Sequence, residues 1–494
     1  MKRGERVIVI GAGHNGLIAA GLLAKRGLKP LVVEARGHIG GMMGDPDFRL
    51  STMPFAVWPQ VLRALGVDVA FEPMTTLVPT PQGVVGISAE QVVGAEDGQA
   101  AAYRALMSRL ERQASALSGL LLKPPPNLAG SGFGDLLGLA GTGLKLRGLG
   151  KAELRDLLRI VLSNIHDLIE DEIGDGPLAA ALAVDATLGS AMGPRSPGTV
   201  LTLLLRMARN RGMRVMPKGG IDILTGKLEN AVMACGGEIR TSAPVERILV
   251  EGDRVTGVQL AGGEIVPSAA VLSSAAPATT LLDLLGPQHL DAEFVRRCRK
   301  TASTGMVARI DFDLKDAPRF SGGTAPSGKD RIVIAESAAA VEAAFNAAKY
   351  GELPKQPVME AHYDDRNRRL SVSAQFIPCS LKGGWKEESR RALQRLVERE
   401  LARVFPGFGS LAAAARLMTA QDMAAAYRVP GGHWHHGELR IDQLLMLRPF
   451  DGAAHYAMPV EGLYLCGAGA HPGGDISGAP GFNGAQALLA GRRR

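Results

Sequence analysis

Four β-branched residues, Val7-Ile-Val-Ile10, run straight into Gly11-Ala-Gly13-His-Asn-Gly16. No other stretch of this 494-residue chain restricts its fold as much. A short β-branched run ending at glycine is the pattern of a buried parallel strand. Residues 17–26 then place apolar side chains at 17, 18, 20, 22, 23 and 24, which predicts a helix, and Gly27 suits its end. Leu31-Val-Val33 is a second strand and stops at Glu34. Strand, glycine-rich turn, helix, strand and terminal acid together make a dinucleotide-binding βαβ unit. Gly11 permits the tight turn, Gly13 lets the backbone approach a pyrophosphate, and Gly16 lets helix and strand pack closely. His14 and Asn15 open the helix, whose unpaired N–H groups and positive dipole end face the phosphates. Glu34 can accept hydrogen bonds from ribose hydroxyls.

Two further motifs select a flavin over a nicotinamide. Glu34-Ala35-Arg36-Gly-His-Ile-Gly40-Gly41 continues the acid into a glycine doublet, where the chain can pass close to a flavin nucleotide. Arg36 is either a partner of the phosphate and adenosine region or a surface charge. Near the other end, Leu463-Tyr-Leu-Cys466 delivers a loop containing Gly467, Gly469, Gly474, Asp475, Gly481, Phe482 and Asn483, and then a helix. Such a loop suits the ribityl chain and the ring edge. The backbone N–H groups of 481–484 could bond the ring's C2 carbonyl, with the helix dipole stabilising the reduced ring. The cofactor expected is FAD, held without a covalent bond, since nothing near Cys466 activates it.

At this point the chain resembles the FAD-dependent phytoene desaturase-like superfamily. It is most similar to the branch named after pyridine nucleotide-disulphide oxidoreductase domains. The residues that carry the likeness are 7–17, Gly40-Gly41, Pro217-Lys218-Gly219-Gly220, Gly431–Glu438, Asp442-Gln443 and Leu463–Gly481. The resemblance implies an α/β fold: a Rossmann-like FAD-binding domain of the glutathione reductase type, an inserted α+β substrate domain and a helical lid. It also implies that Val245 lies against the adenine. No CxxC occurs, so dithiol chemistry is not expected despite the branch's name. An acid soon after the C-terminal strand, usual in flavin amine oxidases, is replaced by Ala468.

The two flavin motifs lie at opposite ends of the chain but must meet. The FAD domain is therefore expected from 1–75, 215–295 and 440–494, and the substrate domain from 76–214 and 296–439. Helices are expected over 103–123, 151–163, 198–210, about 220–235 and 386–404. Strands are expected at 238–241, 245–251, 254–260, 271–273, 306–313 and 371–377.

Lys and Arg total 56 against 49 Asp and Glu, a net charge of +7, and aromatic residues are only 4%. A nucleic-acid binder would want a basic stripe with stacking rings, so none is expected as partner. The four cysteines are isolated in sequence, and no apolar run is long enough to span a bilayer, which points to a cytoplasmic protein. Gly431-Gly-His433-Trp434-His435-His436-Gly437-Glu438 holds three histidines within four residues. No cysteine or compact carboxylate set completes a metal site, so no metal is expected. Two readings stay open. Either the loop faces substrate and His436 or Glu438 handles a proton, or it is a structural turn. His166-Asp167-Leu-Ile-Glu170 reads as a solvated helix end.

The reaction expected is dehydrogenation, saturation or isomerisation of C–C bonds in an apolar, carotenoid- or polyene-like substrate, with hydride passing to the flavin. No second strand–GxGxxG–helix is visible, so electrons are expected to go on to oxygen or a quinone. Amine oxidase-like or ketolase-like oxidation is the alternative, and a lipid-binding escort protein of the same fold is a third. A homodimer is compatible with all three. An apolar substrate would also favour peripheral membrane contact through 118–163. There Phe133, Leu136, Leu137, Leu139, Leu144, Leu146 and Leu149 precede or interleave with Lys145, Arg147, Lys151, Arg155 and Arg159.

Overall fold

A computed structural model describes residues 4–45, 57–125, 143–210 and 214–491. The chain is α/β, and two sheets organise it. The first is a five-stranded parallel sheet in the order Leu463–Leu465, Val271–Ser273, β1 (Arg6–Ile10), β2 (Lys29–Val33), Glu238–Arg240. Helix α1 (His14–Lys25) crosses between β1 and β2 and buries Leu17, Ile18 and Leu23 against the sheet. The strands are as apolar as sequence requires, because helices or a small sheet cover both faces. The small sheet is antiparallel: Val245–Glu251, Arg254–Leu260 and Ile265–Pro267.

The second large sheet has eight strands and takes residues from two separated parts of the chain. Its order is Ala412–Met418, Val307–Leu314, Arg369–Gln375, Val358–Asp364, Asp330–Ile334, Thr75–Thr80, Gly83–Ile87, Val92–Val93. One face is apolar: Ile310, Phe312, Leu370, Val372, Met359 and Ala361 pack with Leu393, Val397 and Leu401 of helix Glu387–Val404. A separate cluster of helices, Asp97–Leu117, Gly150–Ile160, Ile165–Glu172, Pro177–Thr187 and Thr199–Asn210, shares another core.

The expected elements largely recur with shifts at their ends. The helix expected over 103–123 runs Asp97–Leu117 and then tightens into a 3₁₀ turn over 118–120. Helix Pro177–Thr187 was not anticipated. It is buried on nearly every side, so its sequence lacks the one-sided apolar stripe that marks a surface helix. Strands Thr75–Thr80, Asp330–Ile334, Val358–Asp364 and Ala412–Met418 were likewise missed.

Candidate active site

The glycine turn is built as the dinucleotide motif demands. Gly11 has φ +90°, and a Cβ there would lie 2.4 Å from Ser274 Oγ. A Cβ on Gly16 would lie 2.0 Å from the Gly11 carbonyl oxygen, so only glycine lets α1 start this close to β1. Gly13 differs. Nothing lies within 4 Å of its Cβ position, which opens onto a cavity, and no side chain caps α1 at this residue. The carboxylate of Glu34 is fixed by backbone donors, accepting from Ala12 N at 2.7 Å and Arg36 N at 2.9 Å. The Arg36 guanidinium pairs with Asp45 at 2.6 Å and lies 4.6 Å over the Tyr427 ring. Gly40 donates from its N–H to the Ala12 carbonyl at 2.8 Å, bringing the glycine doublet against the turn.

The C-terminal loop meets this turn in space. Gly481 N donates to Asn15 Oδ1 at 3.3 Å, and a Cβ on Gly481 would lie 2.2 Å from the Asn15 carbonyl. This corrects one expectation. The N–H groups of Gly481 and Phe482 are engaged by Asn15 and by the Gly478 carbonyl, so the protein itself uses donors assigned above to the ring carbonyl.

A cavity joins these parts. Gly11, Gly13, His14, Asn15, Glu34, Ala35, Arg36, Gly40, Gly41, Val245, Asp475 and His436 all line it. Gly16, Gly467, Gly469, Gly474, Gly481, Phe482, Asn483 and Glu438 are not among the lining residues and stand behind the wall. Asn483, for example, spends its amide N–H groups on Leu121 O at 3.0 Å and Tyr456 Oη at 2.9 Å. Lining residues that the sequence did not signal include Met42, Met43, Leu188, Arg214, Glu360, Ser373 and Tyr427. They come from distant segments, and no local pattern links them.

The histidine loop rests on buried electrostatics. Glu438 accepts from Ala191 N at 2.6 Å and Leu439 N at 2.8 Å, and its Oε2 lies 3.3 Å from His433 Nε2. Burial opposes its charge, but His433 and the backbone donors outweigh this and hold the carboxyl at about 2. Arg448, fully buried, donates at 2.8 Å to each of the carbonyls of His435, Glu438 and Ala468, which locks the loop to the C-terminal one. Burial, reinforced by Arg448, pushes His436 down to about 3. Burial also pushes His14 down to about 4. Both imidazoles are therefore neutral near pH 7. His14 Nε2 and His436 Nδ1 are buried nitrogens with no hydrogen-bond partner among the described residues. Burial takes His435 to about 3, with its Nδ1 accepting from Asp475 N at 3.1 Å. Asp475 Oδ2 accepts from Arg206 at 3.1 Å and Arg209 at 2.9 Å, and despite its burial these cations hold it far below the usual carboxylate range.

Away from the cavity, His166, Asp167 and Glu170 are close enough to invite a metal reading. However, Arg195 Nη2 sits 2.9 Å from His166 Nε2, and a guanidinium can only donate. That nitrogen's lone pair is taken up by the guanidinium, and Nδ1 lies 3.5 Å from Glu170.

This geometry defines a flavin-dependent oxidoreductase. The chain belongs to the flavin containing amine oxidoreductase family, whose model matches residues 189–481, while residues 9–67 match the NAD(P)-binding Rossmann-like domain. It is 30% identical to the rat protein called pyridine nucleotide-disulfide oxidoreductase domain-containing protein 2, over 98% of this chain and 93% of that one. It is 23% identical to a lycopene-forming phytoene desaturase of Pseudescherichia vulneris, over 96% of each chain. Among solved structures, a putrescine oxidase with putrescine bound shares the fold at TM-score 0.58 and 15% identity, over 99% of each chain. FAD is the cofactor, and the residues fit it. The uncapped helix start and the open Gly13 position suit a diphosphate, the anchored Glu34 suits a ribose, and His14 lines the same cavity.

Proposed function

We propose that this FAD-dependent oxidoreductase acts on C–C bonds of an apolar, polyene-like substrate. The observation that carries this reading is the pairing of every carboxylate lining the cavity. Glu34 is held by two backbone N–H groups, Asp475 by two arginines, and Glu360 by Arg214 at 3.0 Å and Arg331 at 2.6 Å. Among the described lining residues a cationic amine would find no carboxylate without hydrogen-bond partners, whereas Met42, Met43, Leu188, Leu284, Val429 and Ile476 offer an apolar wall.

FAD, once bound, supplies the ring that accepts hydride. His436 is neutral and lines the cavity, so we assign it the accompanying proton. Glu438 acts through position: it ties the loop to Ala191 and to His433. Trp434 closes the wall beside His436. Oxygen or a quinone takes the electrons onward. The test is anaerobic mixing of the FAD-loaded protein with a panel of polyenes, cyclic terpenes and primary amines. Bleaching of the yellow flavin by a hydrocarbon and by no amine supports the reading. Bleaching by amines alone overturns it.

A further inference from the structure

The wall of the flavin cavity is not apolar throughout. The nucleotide motifs supply one part of it, Gly11, Glu34 and Gly41 among them, and the eight-stranded sheet supplies Glu360 and Ser373. These two residues are paired across the antiparallel strands Val358–Asp364 and Arg369–Gln375, so their side chains rise side by side from one face. Arg309 stands in the same row on the strand beyond Ser373. Polar side chains buried in such a wall are costly unless their hydrogen-bonding atoms are matched.

Each of the two is half matched. Glu360 Oε2 accepts from Arg331 Nε at 2.6 Å and from Arg214 Nη2 at 3.0 Å. Both guanidiniums also pair with Asp185, so the four charges cancel. Glu360 Oε1 accepts from no donor among the described residues, and unlike Gln375 Oε1 it is not sealed in by protein. Glu360 keeps 5% exposure and lines the cavity, so this oxygen is an acceptor open to a ligand. Ser373 Oγ accepts from Arg309 Nη1 at 2.8 Å. A guanidinium only donates, so the serine's own proton is not committed to it. No acceptor among the described residues takes that proton, Glu360 included, and Ser373 lines the same cavity. The row therefore presents a free acceptor beside a free donor, on side chains whose Cβ atoms lie roughly 5 Å apart.

We propose that Glu360 and Ser373 bind a neutral hydroxyl group of the substrate, whose remaining body packs along the apolar wall. A hydroxyl oxygen set between them accepts from Ser373 and donates to Glu360, with bonds of about 2.7–2.8 Å. Other head groups satisfy only half of the pair. An ether or a ketone has no proton for Glu360. An ammonium has no lone pair for Ser373, and the arginines already cancel the charge of Glu360. A carboxylate brings a second negative charge against Glu360. A bare hydrocarbon leaves both atoms unmatched, and a site built to hydrogen-bond a hydroxyl rejects the analogue that lacks it. The hydroxyl takes no part in the redox step. By anchoring one end of the substrate it sets which bond is presented to the flavin. The proposal rests on the reading above for the apolar body, but not for the hydroxyl.

The test measures binding to the oxidised, FAD-loaded protein rather than turnover. Calorimetry compares octyl alcohol, octyl methyl ether, hexyl methyl ketone and octylamine. The alcohol should bind at least tenfold more tightly than the ketone, the difference expected for one hydrogen bond to a charged acceptor. Glu360→Gln should reverse that order. The arginines would hold the amide carbonyl, which turns the NH₂ group toward the cavity and puts a donor where an acceptor stood. The ketone should then bind more tightly than the alcohol, with FAD content unchanged. Ser373→Ala should weaken the alcohol about tenfold. If Glu360→Gln fails to fold, the ligand series on the native protein and Ser373→Ala still decide. An alcohol that binds no more tightly than the ketone, whether both bind alike or neither binds, would overturn the hydroxyl subsite. So would octylamine as the tightest ligand. Flavin bleaching is a separate outcome: bleaching by amines alone removes the C–C reading, while a preference for the alcohol would survive it.

Discussion

In the five-stranded sheet, β1 and β2 bury Val7, Ile8, Val9, Leu31, Val32 and Val33 on both faces, and no titratable side chain intervenes. In the eight-stranded sheet, the same alternation of side chains buries Ile310 and Phe312 on one side and Arg309 and Asp311 on the other. Apolar burial is non-directional and tolerates repacking. Buried charge is held partner by partner, and losing one partner strands another. The two sheets should therefore respond differently to damage. Arg331, fully buried, pairs with Asp185 at 2.7 Å and Glu360 at 2.6 Å. Arg331→Met should cost about 3–5 kcal/mol in denaturant unfolding, since Asp185 and Glu360 each lose one of the two arginines that hold them. In the parallel sheet, Val9→Ala should cost less, about 1–2 kcal/mol, for the lost methyl burial. Equal costs would break the contrast.

The site lies where the two sheets meet, and its chemistry should separate from its stability. His436→Ala should lower turnover about 10²–10⁴-fold if the ring moves the proton. FAD content and melting temperature should stay near native. Full activity would return the loop to a structural turn. Glu34→Ala should weaken FAD binding by about 1–3 kcal/mol, because ribose hydroxyls lose a charged acceptor and Ala12 N–H loses its partner. Isothermal titration of FAD into the apoprotein measures it.

How much of this was legible beforehand follows the same division. The glycine turn, α1, Glu34 and the loop after Leu465 announce themselves locally, since each needs a residue type at a fixed offset. Arg214, Glu360 and Ser373 gave no signal, because they become neighbours only through sheet register and through a loop-to-sheet contact spanning 146 residues. The alternation in Arg309-Ile-Asp311-Phe is visible in sequence, but it reads equally as a solvated face. Only the fold shows that face to be buried. Glu438 illustrates a subtler limit. Its proximity to the histidines was readable, but its commitment to Ala191 was not.

Acid should expose the histidine-rich side of the site first. Burial takes His14 and His471 down to about 4, and His435 and His436 to about 3. In the unfolded chain each would titrate near 6.5. Below that pH the unfolded state binds protons that the folded state refuses, so stability falls as pH drops. Each histidine contributes up to about 1.4 kcal/mol per pH unit between about 6.5 and its folded value. Glu438 and Asp475, depressed instead, lose their contribution only below the ordinary carboxylate range. A melting temperature that is flat from pH 6.5 to 5 would mean that these rings are charged or solvated.

The smallest expected effect on stability concerns a surface where function and packing part. Within 118–163, Phe133, Leu136, Leu137 and Leu139 lie outside the described residues. Of the rest, Leu157 and Ile160 are buried in the helical core, and Leu146 and Leu149 pack against it. Yet Leu144, Leu158 and Leu162 are 69%, 67% and 57% exposed, beside Lys145, Lys151, Arg155 and Arg159. Exposed leucines among basic residues suit an anionic lipid surface. An apolar substrate would be delivered from such a surface. No described helix is long and apolar enough to cross a membrane. Replacing the three leucines with serine should change folding stability by less than about 0.5 kcal/mol for each, because little burial is lost. It should abolish co-sedimentation with anionic vesicles, and raising salt should weaken the binding of the native protein. If the native protein ignores such vesicles at low salt, these leucines have no lipid partner. If the serine variant unfolds early, these leucines serve packing that the folded protein needs, and the lipid reading falls.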